Sequence, residues 1–434
     1  MNKNTVAVIG LGKIGLTLAA VYASNGYKVV GADVNQNVVD TVNRGESHIQ
    51  NEPGLQELVH EAYVNKQLRA TASTREAVQE ASTVVVIVPV LIDDDYDVDY
   101  QYIDAATREI GLGIQKGTTV IYETTLPTGD TRKRFGAMIE QASSLQAGVD
   151  FYLAYSPERV YSNTIIRDLK KYPKIVGGIN EASLINASTF YKLALGCDVL
   201  PVENADTAEF AKVAECVYRD VNIALANELA IYADQMNVNM RDAAAASNTQ
   251  PYSHIHAPGV GVGGHCIPIY PYFFISRGLD EGIVQQSRKI NDQMANYALE
   301  RIESQSGKLQ GENVLILGLS YRENVKETEK SSAWKLLEGL KERGAASFVH
   351  DPHFSEEEMR TFNVEPLELT NEEMKKVDII ILQAYHDEYR SLDFSQFVKK
   401  PFVFDGRNVL DRPNLLNSVW VLMRLEGQSN DSNG

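Results

Sequence analysis

Val6-Ala7-Val8-Ile9-Gly10-Leu11-Gly12-Lys13-Ile14-Gly15 settles how the first part of this chain folds. An apolar strand-like run ends on a glycine, a helix-compatible stretch follows at once, and Asp33 closes the next strand-like run, Lys28 to Ala32. In that setting GxGxxG has a mechanical meaning. Gly10 permits the tight turn, Gly12 lets the backbone approach a pyrophosphate, and Gly15 allows the helix to pack closely on the strand. Ile14 lies in the first helical turn, whose unpaired N–H groups and dipole attract a phosphate. Asp33 would accept hydrogen bonds from ribose hydroxyls and repel a 2′-phosphate, so NAD is favoured over NADP. FAD uses the same fingerprint, and a ligand-free glycine turn is the plain alternative.

Outward from this turn, further strand candidates are Val84 to Val88, Thr119 to Tyr122, Phe151 to Tyr155 and Lys174 to Val176. Helix-like segments separate them, a pattern that predicts a parallel sheet covered on both faces. Asp206 to Met236 reads as one long helix, Ala-rich and free of Gly and Pro. A second α/β block starts near Glu312, with strands at Val314 to Gly318, Ser347 to Pro352, Asp378 to Leu382 and Phe402 to Asp405. The fold class expected is therefore α/β: two Rossmann-like doubly wound domains joined by a long central helix and a helical middle domain. The boundaries are 1–200, 201–305 and 306–427, with 428–434 a disordered tail.

The chain has 434 residues, too many for one ordinary core, and a formal net charge of −17. That charge disfavours nucleic acid as a partner. No apolar run approaches the length of about 20 residues a membrane span needs, and no export signal precedes Val6, so a cytoplasmic protein with free thiols is expected. Asp93 to Asp99 resembles a calcium loop but lacks its glycine and terminal glutamate, and His254, His256 and His265 lack a metal-site spacing, so no metal is expected.

Pro258-Gly259-Val260-Gly261-Val262-Gly263-Gly264-His265-Cys266-Ile267-Pro268 is the most unusual stretch. Its glycines would let backbone wrap round a ligand and place one thiol in its middle. A free cysteine is more often a small buried hydrophobe, which describes Cys197 better than Cys266.

The sequence resembles the UDP-glucose / UDP-N-acetylhexosamine dehydrogenase family over nearly its whole length. The likeness runs through the N-terminal fingerprint, Asn43-Arg44-Gly45, Glu52-Pro53-Gly54-Leu55, and Glu123-Thr124-Thr125-Leu126-Pro127-Thr128-Gly129. It continues through Ser156-Pro157-Glu158-Arg159-Val160, Lys212, Asn227-Glu228, the cysteine loop and Gly318-Leu319-Ser320-Tyr321. It implies a homodimer that uses NAD twice to oxidise the C6 alcohol of a UDP-sugar to a carboxylate. Cys266 matches the nucleophile that forms a thiohemiacetal and then a thioester, Glu158 the general base for hydrolysis, and Lys212 the cation at the developing oxyanion. Thr125 matches the position that helps hold the water. A salt bridge to Arg159 is the alternative for Glu158, and a solvated helix lysine the alternative for Lys212.

Two positions depart from the family pattern. Tyr270 stands where many members carry Asp, and Cys216 where many carry Asn; a phenol could replace the carboxylate, whereas a thiol is a poor amide. Arg219, Gly263, Tyr321 and Arg407 are the candidate contacts to the UDP-sugar. Tyr218-Arg219-Asp220-Val221 and the cysteine loop look closer to the N-acetylhexosamine members, which favours UDP-N-acetylglucosamine or UDP-N-acetylmannosamine. UDP-glucose, a catalytically impaired sugar-nucleotide binder and a two-electron hydroxyacid dehydrogenase are the alternatives.

Overall fold

The computed structural model of the chain describes residues 4–421 apart from 51, 94, 162, 279–280, 393, 395–400 and 411–418. Its contacts divide the chain into two compact units: Met1–Glu215 with Tyr272–Arg277, and Cys216–Pro271 with Gly278–Gly434. The stretch 201–305, expected as a helical middle domain, is shared between them. The expected tail, 428–434, lies outside the described residues.

The first unit is built on strands β1 (Thr5–Ile9), β2 (Lys28–Ala32), β3 (Leu68–Thr71), β4 (Thr83–Val86), β5 (Thr119–Tyr122), β6 (Tyr152–Tyr155), β7 (Lys174–Gly178) and β8 (Val199–Pro201). Among the described residues they form one eight-stranded sheet in the order β8-β7-β6-β5-β4-β1-β2-β3. Every residue of β1, β4 and β5 is buried, as strands covered on both faces must be. Helix α1 (Lys13–Ser24) supplies part of that cover and is buried without a break from Gly15 to Ala23. The two strands that the sequence did not announce lie at the edges. In β3, Leu68-Arg69-Ala70-Thr71, burial merely alternates, and β8 ends on Pro201, a residue tolerated only where a ladder bond is not needed.

One junction departs from the expected parallel sheet. β7 runs antiparallel to β6, pairing Tyr155 with Gly177 and Ala154 with Gly178, while β8 returns parallel to β7. The alternation of strand and helix carries no information about strand direction, so this reversal was invisible in the sequence. Its effect is local and chemical: β7 enters the sheet at the edge where β5 and β6 leave it.

Helix α2 (Glu181–Ala194) packs behind this edge, with Phe190, Tyr191 and Ala194 in the first core. Helix α3 (Ala205–Gln235, 31 residues) begins in the first unit and continues into the second. The second unit holds helix α4 (Ile283–Ser306), strand β9 (Asn313–Leu317), helix α5 (Ser332–Glu342) and strands β10 (Ala346–His350), β11 (Ile379–Leu382), β12 (Phe402–Asp405) and β13 (Val419–Val421). Its sheet is parallel throughout, ordered β10-β9-β11-β12-β13. Met294, Leu299 and Ile302 of α4 meet Leu336 and Leu340 of α5 in its core. The strand order reverses beside β1 in one sheet and beside β9 in the other, and in open α/β sheets ligands bind at the carboxyl edge of such a point.

Candidate active site

At the carboxyl edge of β1 the chain turns through Gly10 with φ +92, and a Cβ on Gly15 would run into the Gly10 carbonyl. Nothing lies within 4 Å of where a Cβ of Gly12 would stand, which leaves its backbone open to a ligand. Asp33 is half-buried. Its Oδ2 accepts the Leu11 N–H at 2.8 Å and its Oδ1 the Asn35 N–H at 2.9 Å, which orients the carboxylate and leaves it lone pairs for ribose hydroxyls. Ile14 packs against the apolar core. Bare backbone, a helix N-terminus and an oriented acid together fit a dinucleotide.

The same unit holds Thr125, Glu158 and Lys212. Thr125 is buried in the loop after β5, a loop fixed from α3 by Glu209, whose carboxylate accepts the N–H groups of Gly129 and Thr131. Glu158 follows β6 and is half-buried. Its Oε1 accepts the backbone N–H of Arg159 at 2.7 Å, whereas the Arg159 guanidinium donates to the Pro173 carbonyl; the salt bridge weighed for this pair is not formed. Lys212, on α3, is 7% exposed and acts on Glu158 through its charge. A lysine that deep is not the solvated helix lysine weighed as its alternative.

A third charged group, unforeseen in the sequence, binds this set together. Lys174, the first residue of β7, is 5% exposed and places Nζ 2.6 Å from Glu158 Oε2 and 2.6 Å from Glu123 Oε2. Glu123, the residue after β5, is buried; its Oε1 accepts the Tyr191 hydroxyl at 2.6 Å and, more weakly, that of Tyr22 at 3.4 Å. The two carboxylates respond differently. Burial pushes Glu123 well above the usual carboxylate range despite Lys174. Burial also opposes ionisation of Glu158, but Lys174, the Arg159 N–H and Lys212 together outweigh it and bring that carboxyl below its ordinary value. One ammonium cannot fully compensate two carboxylates, and the one with no solvent contact carries the penalty. Removing one partner of a buried pair of this kind costs about 3–5 kcal/mol. Cys197, in the same core, is a thiol pushed up by burial, as suits a packing residue.

In the second unit the cysteine loop is held from both sides. The Gly259 N–H donates to Asn227 Oδ1 at 2.9 Å, Asn227 Nδ2 to Asn291 Oδ1 at 2.8 Å, and Asn291 Nδ2 to Asp220 Oδ1 at 2.8 Å. Asp220 pairs with Arg288 at 2.6 Å, and the guanidinium of Arg219 points instead to Cys216 Sγ at 3.8 Å. Across the loop, a Cβ on Gly263 would stand 2.7 Å from Cβ of Tyr321 and 2.8 Å from the Lys330 carbonyl. A Cβ on Gly264 would stand 2.9 Å from the Tyr321 ring, and one on Gly259 would stand 2.9 Å from Arg407. The glycines therefore serve a close approach within the protein itself, setting Gly263 and Gly264 against Tyr321 and Gly259 against Arg407. Cys266 is half-buried; its carbonyl accepts the N–H of Tyr270 at 2.9 Å, which turns the chain just after the thiol. Tyr270 and Cys216 stand in this unit, Cys216 fully buried.

Three models of the UDP-glucose/GDP-mannose dehydrogenase family match the chain in succession: the NAD-binding domain at residues 4–194, the central domain at 206–293 and the UDP-binding domain at 315–412. A UDP-N-acetyl-D-mannosamine dehydrogenase of Pyrococcus horikoshii is 33% identical over 94% of this chain and 96% of its own length. The chain belongs to this family. It is an NAD-dependent nucleotide-sugar dehydrogenase with a UDP-sugar substrate. An NDP-N-acetyl-D-galactosaminuronic acid dehydrogenase of Ralstonia solanacearum is also 33% identical, over 93% of this chain and 96% of its own. The solved UDP-D-ManNAc dehydrogenase of Pyrococcus horikoshii superposes with a TM-score of 0.87 at 32% identity, covering 96% of this chain and 99% of that one.

After β9 the dehydrogenase makes a second glycine turn, through Gly318 with φ +97, although helix α5 starts only at Ser332, and here the protein's own side chains engage the acid. Asp351, after β10, is the counterpart of Asp33. It is fully buried, and its Oδ2 accepts the N–H groups of Leu319 and Ser320, the Ser320 hydroxyl and His386 Nε2. Burial opposes its ionisation, yet these donors hold it down at about 2. His386 Nδ1 accepts the Asn324 N–H, which leaves Nε2 as the nitrogen that donates to Asp351. Among the described residues no helix is long and apolar enough to cross a membrane.

Proposed function

We propose that this dehydrogenase converts UDP-N-acetyl-D-mannosamine to its uronate in four electrons, through a thioester on Cys266. The sugar rests on the names of its relatives. The chemistry rests on one observation: Glu158 is held ionised and still half-buried beside Lys212, the state a hydrolytic base needs.

NAD, held at Gly10, Gly12, Gly15 and Asp33, supplies the hydride acceptor for both oxidations. The chain's own groups do the rest. Cys266 thiolate bonds to C6 of the aldehyde, the carbonyl electron pair moves to oxygen, and Lys212 stabilises that oxyanion. After the second oxidation C6 remains bound to sulfur as a thioester. Water, placed by Thr125, then attacks C6 while Glu158 takes its proton. The C–S bond breaks, and the thiolate and the uronate are released. Arg219, Gly263, Tyr321 and Arg407 contact the UDP-sugar in this reading, with the Tyr270 phenol in place of the family's carboxylate.

Purified enzyme is expected to form two NADH per UDP-N-acetylmannosamine consumed, and far less with UDP-N-acetylglucosamine or UDP-glucose. A preference for either of the latter would reassign the sugar, and one NADH per sugar would remove the thioester.

A homodimer is part of the same reading. Tyr218, Leu225 and Tyr232 are spaced by seven along α3 and are 57%, 47% and 49% exposed, an apolar stripe whose intervening residues are buried or half-buried. Sedimentation should give a dimer, and Leu225→Glu with Tyr232→Glu should give monomer. A native monomer would contradict it.

A further inference from the structure

We propose that Lys174 is a positioning residue for the hydrolytic half of the reaction, clamping the Glu158 carboxylate in place and ionised, with Glu123 as the fixed counter-group behind it. The inference rests on the general-base reading of Glu158 and adds the device that makes it possible.

The geometry comes from strand direction. β7 is antiparallel to β6, and continuing the register beyond Tyr155 and Gly177 sets Lys174 opposite Glu158. A parallel β7 would have begun at the other edge of the sheet. Glu123 leaves the neighbouring strand β5 at the same edge, so one ammonium lies between two carboxylates at 2.6 Å each. Tyr191 of α2 and Tyr22 of α1 close Glu123 from behind, and the Lys174 ammonium lies 5.1 Å over the Tyr191 ring. Glu123 is thereby walled off, with its side chain at 0% exposure, whereas Glu158 keeps 14% and is the carboxylate that water can reach.

Packing alone does not call for this arrangement. Apolar side chains of similar volume usually fill such a place at no loss of stability. The charged groups facing Glu158 are Lys174 from β7, Lys212 from α3 and Glu123 after β5, with Cys197 near Lys174. Both lysines favour its ionised form and Glu123 opposes it. Taking Lys174 away removes the cation in contact with Glu158 and leaves Lys212 alone to favour its ionised form. Its pKa must rise from below the ordinary carboxylate value, so the acid limb of the rate profile moves up.

The test is the pH profile of steady-state NADH formation from about pH 4 to about pH 9, with intact-mass detection of thioester on Cys266. Lys174→Met should move the acid limb up by about one unit or more and so lower the rate on that limb by about tenfold. It should accumulate thioester at the acid end and recover toward the wild-type rate as the pH rises. Lys174→Arg should restore much of the limb, and Glu123→Gln, which dedicates the lysine to Glu158, should not move it upward. A packing role alone would lower the rate equally at every pH. If Lys174→Met does not fold, Glu123→Gln/Lys174→Met, with one buried carboxylate fewer, takes the same measurement.

Glu158→Gln separates the two levels of the argument. Thioester accumulating in Glu158→Gln while the lysine variants keep the wild-type acid limb overturns the clamp alone. Normal hydrolysis in Glu158→Gln overturns the base and the clamp with it.

Discussion

Cys266→Ser is expected to lower uronate formation by at least about a thousandfold. A serine hydroxyl is scarcely ionised near neutral pH, and it forms with an aldehyde an adduct far less ready to release a second hydride than a thiohemiacetal is. Oxidation of the alcohol does not need the thiol. Rapid mixing should therefore still show NADH at no more than one equivalent per site, with no covalent adduct by mass. Gly263 and Tyr321 keep their packing in this variant, so UDP-sugar affinity should change little. Two NADH per sugar at a wild-type rate would end the cysteine mechanism.

Lys212→Met should reduce kcat by about a hundred- to a thousandfold with little change in KM, the loss typical of a removed oxyanion donor. The effect has a second source here. Lys212 lies 7% exposed in the first unit and helps keep Glu158 ionised, so its removal should also raise the acid limb of the profile. Lys212→Arg should correct the limb more fully than the rate, because it restores the charge without the compact ammonium that the oxyanion requires. A kcat within about threefold of wild type would leave Lys212 as a structural residue.

What the sequence disclosed follows from how local each signal is. Gly10, Gly12 and Gly15 lie in one strand-turn-helix and Asp33 just after the next strand, where spacing alone states geometry, and the turn formed as read. The long helix was legible for the same reason, Ala205–Gln235 against an expected Asp206 to Met236. Lys174 was not legible. It acquires its role from an antiparallel pairing between strands that a helix separates, and nothing in Lys174-Ile175-Val176 states that direction. The glycine loop was half-read: its density marks a close approach, but whether a ligand or Tyr321 and Lys330 stands opposite is set by residues more than fifty positions away. Arg159 turns from Glu158 to the Pro173 carbonyl, while Lys174 reaches Glu158 from another element.

The occupied acid of the second sheet bears on how this protein could be redesigned. Ser320 stands where the second fingerprint glycine would be, and it spends both its N–H and its hydroxyl on Asp351. Restoring glycine there would open the backbone, yet it would strip a donor from a fully buried carboxylate and still leave His386 on it. Each single exchange strands a polar group at a cost of about 1–3 kcal/mol, so intermediates on that route are worse than either end. Opening that turn therefore calls for exchanging Ser320, Asp351 and His386 together, and no stepwise route through single substitutions is open to the designer.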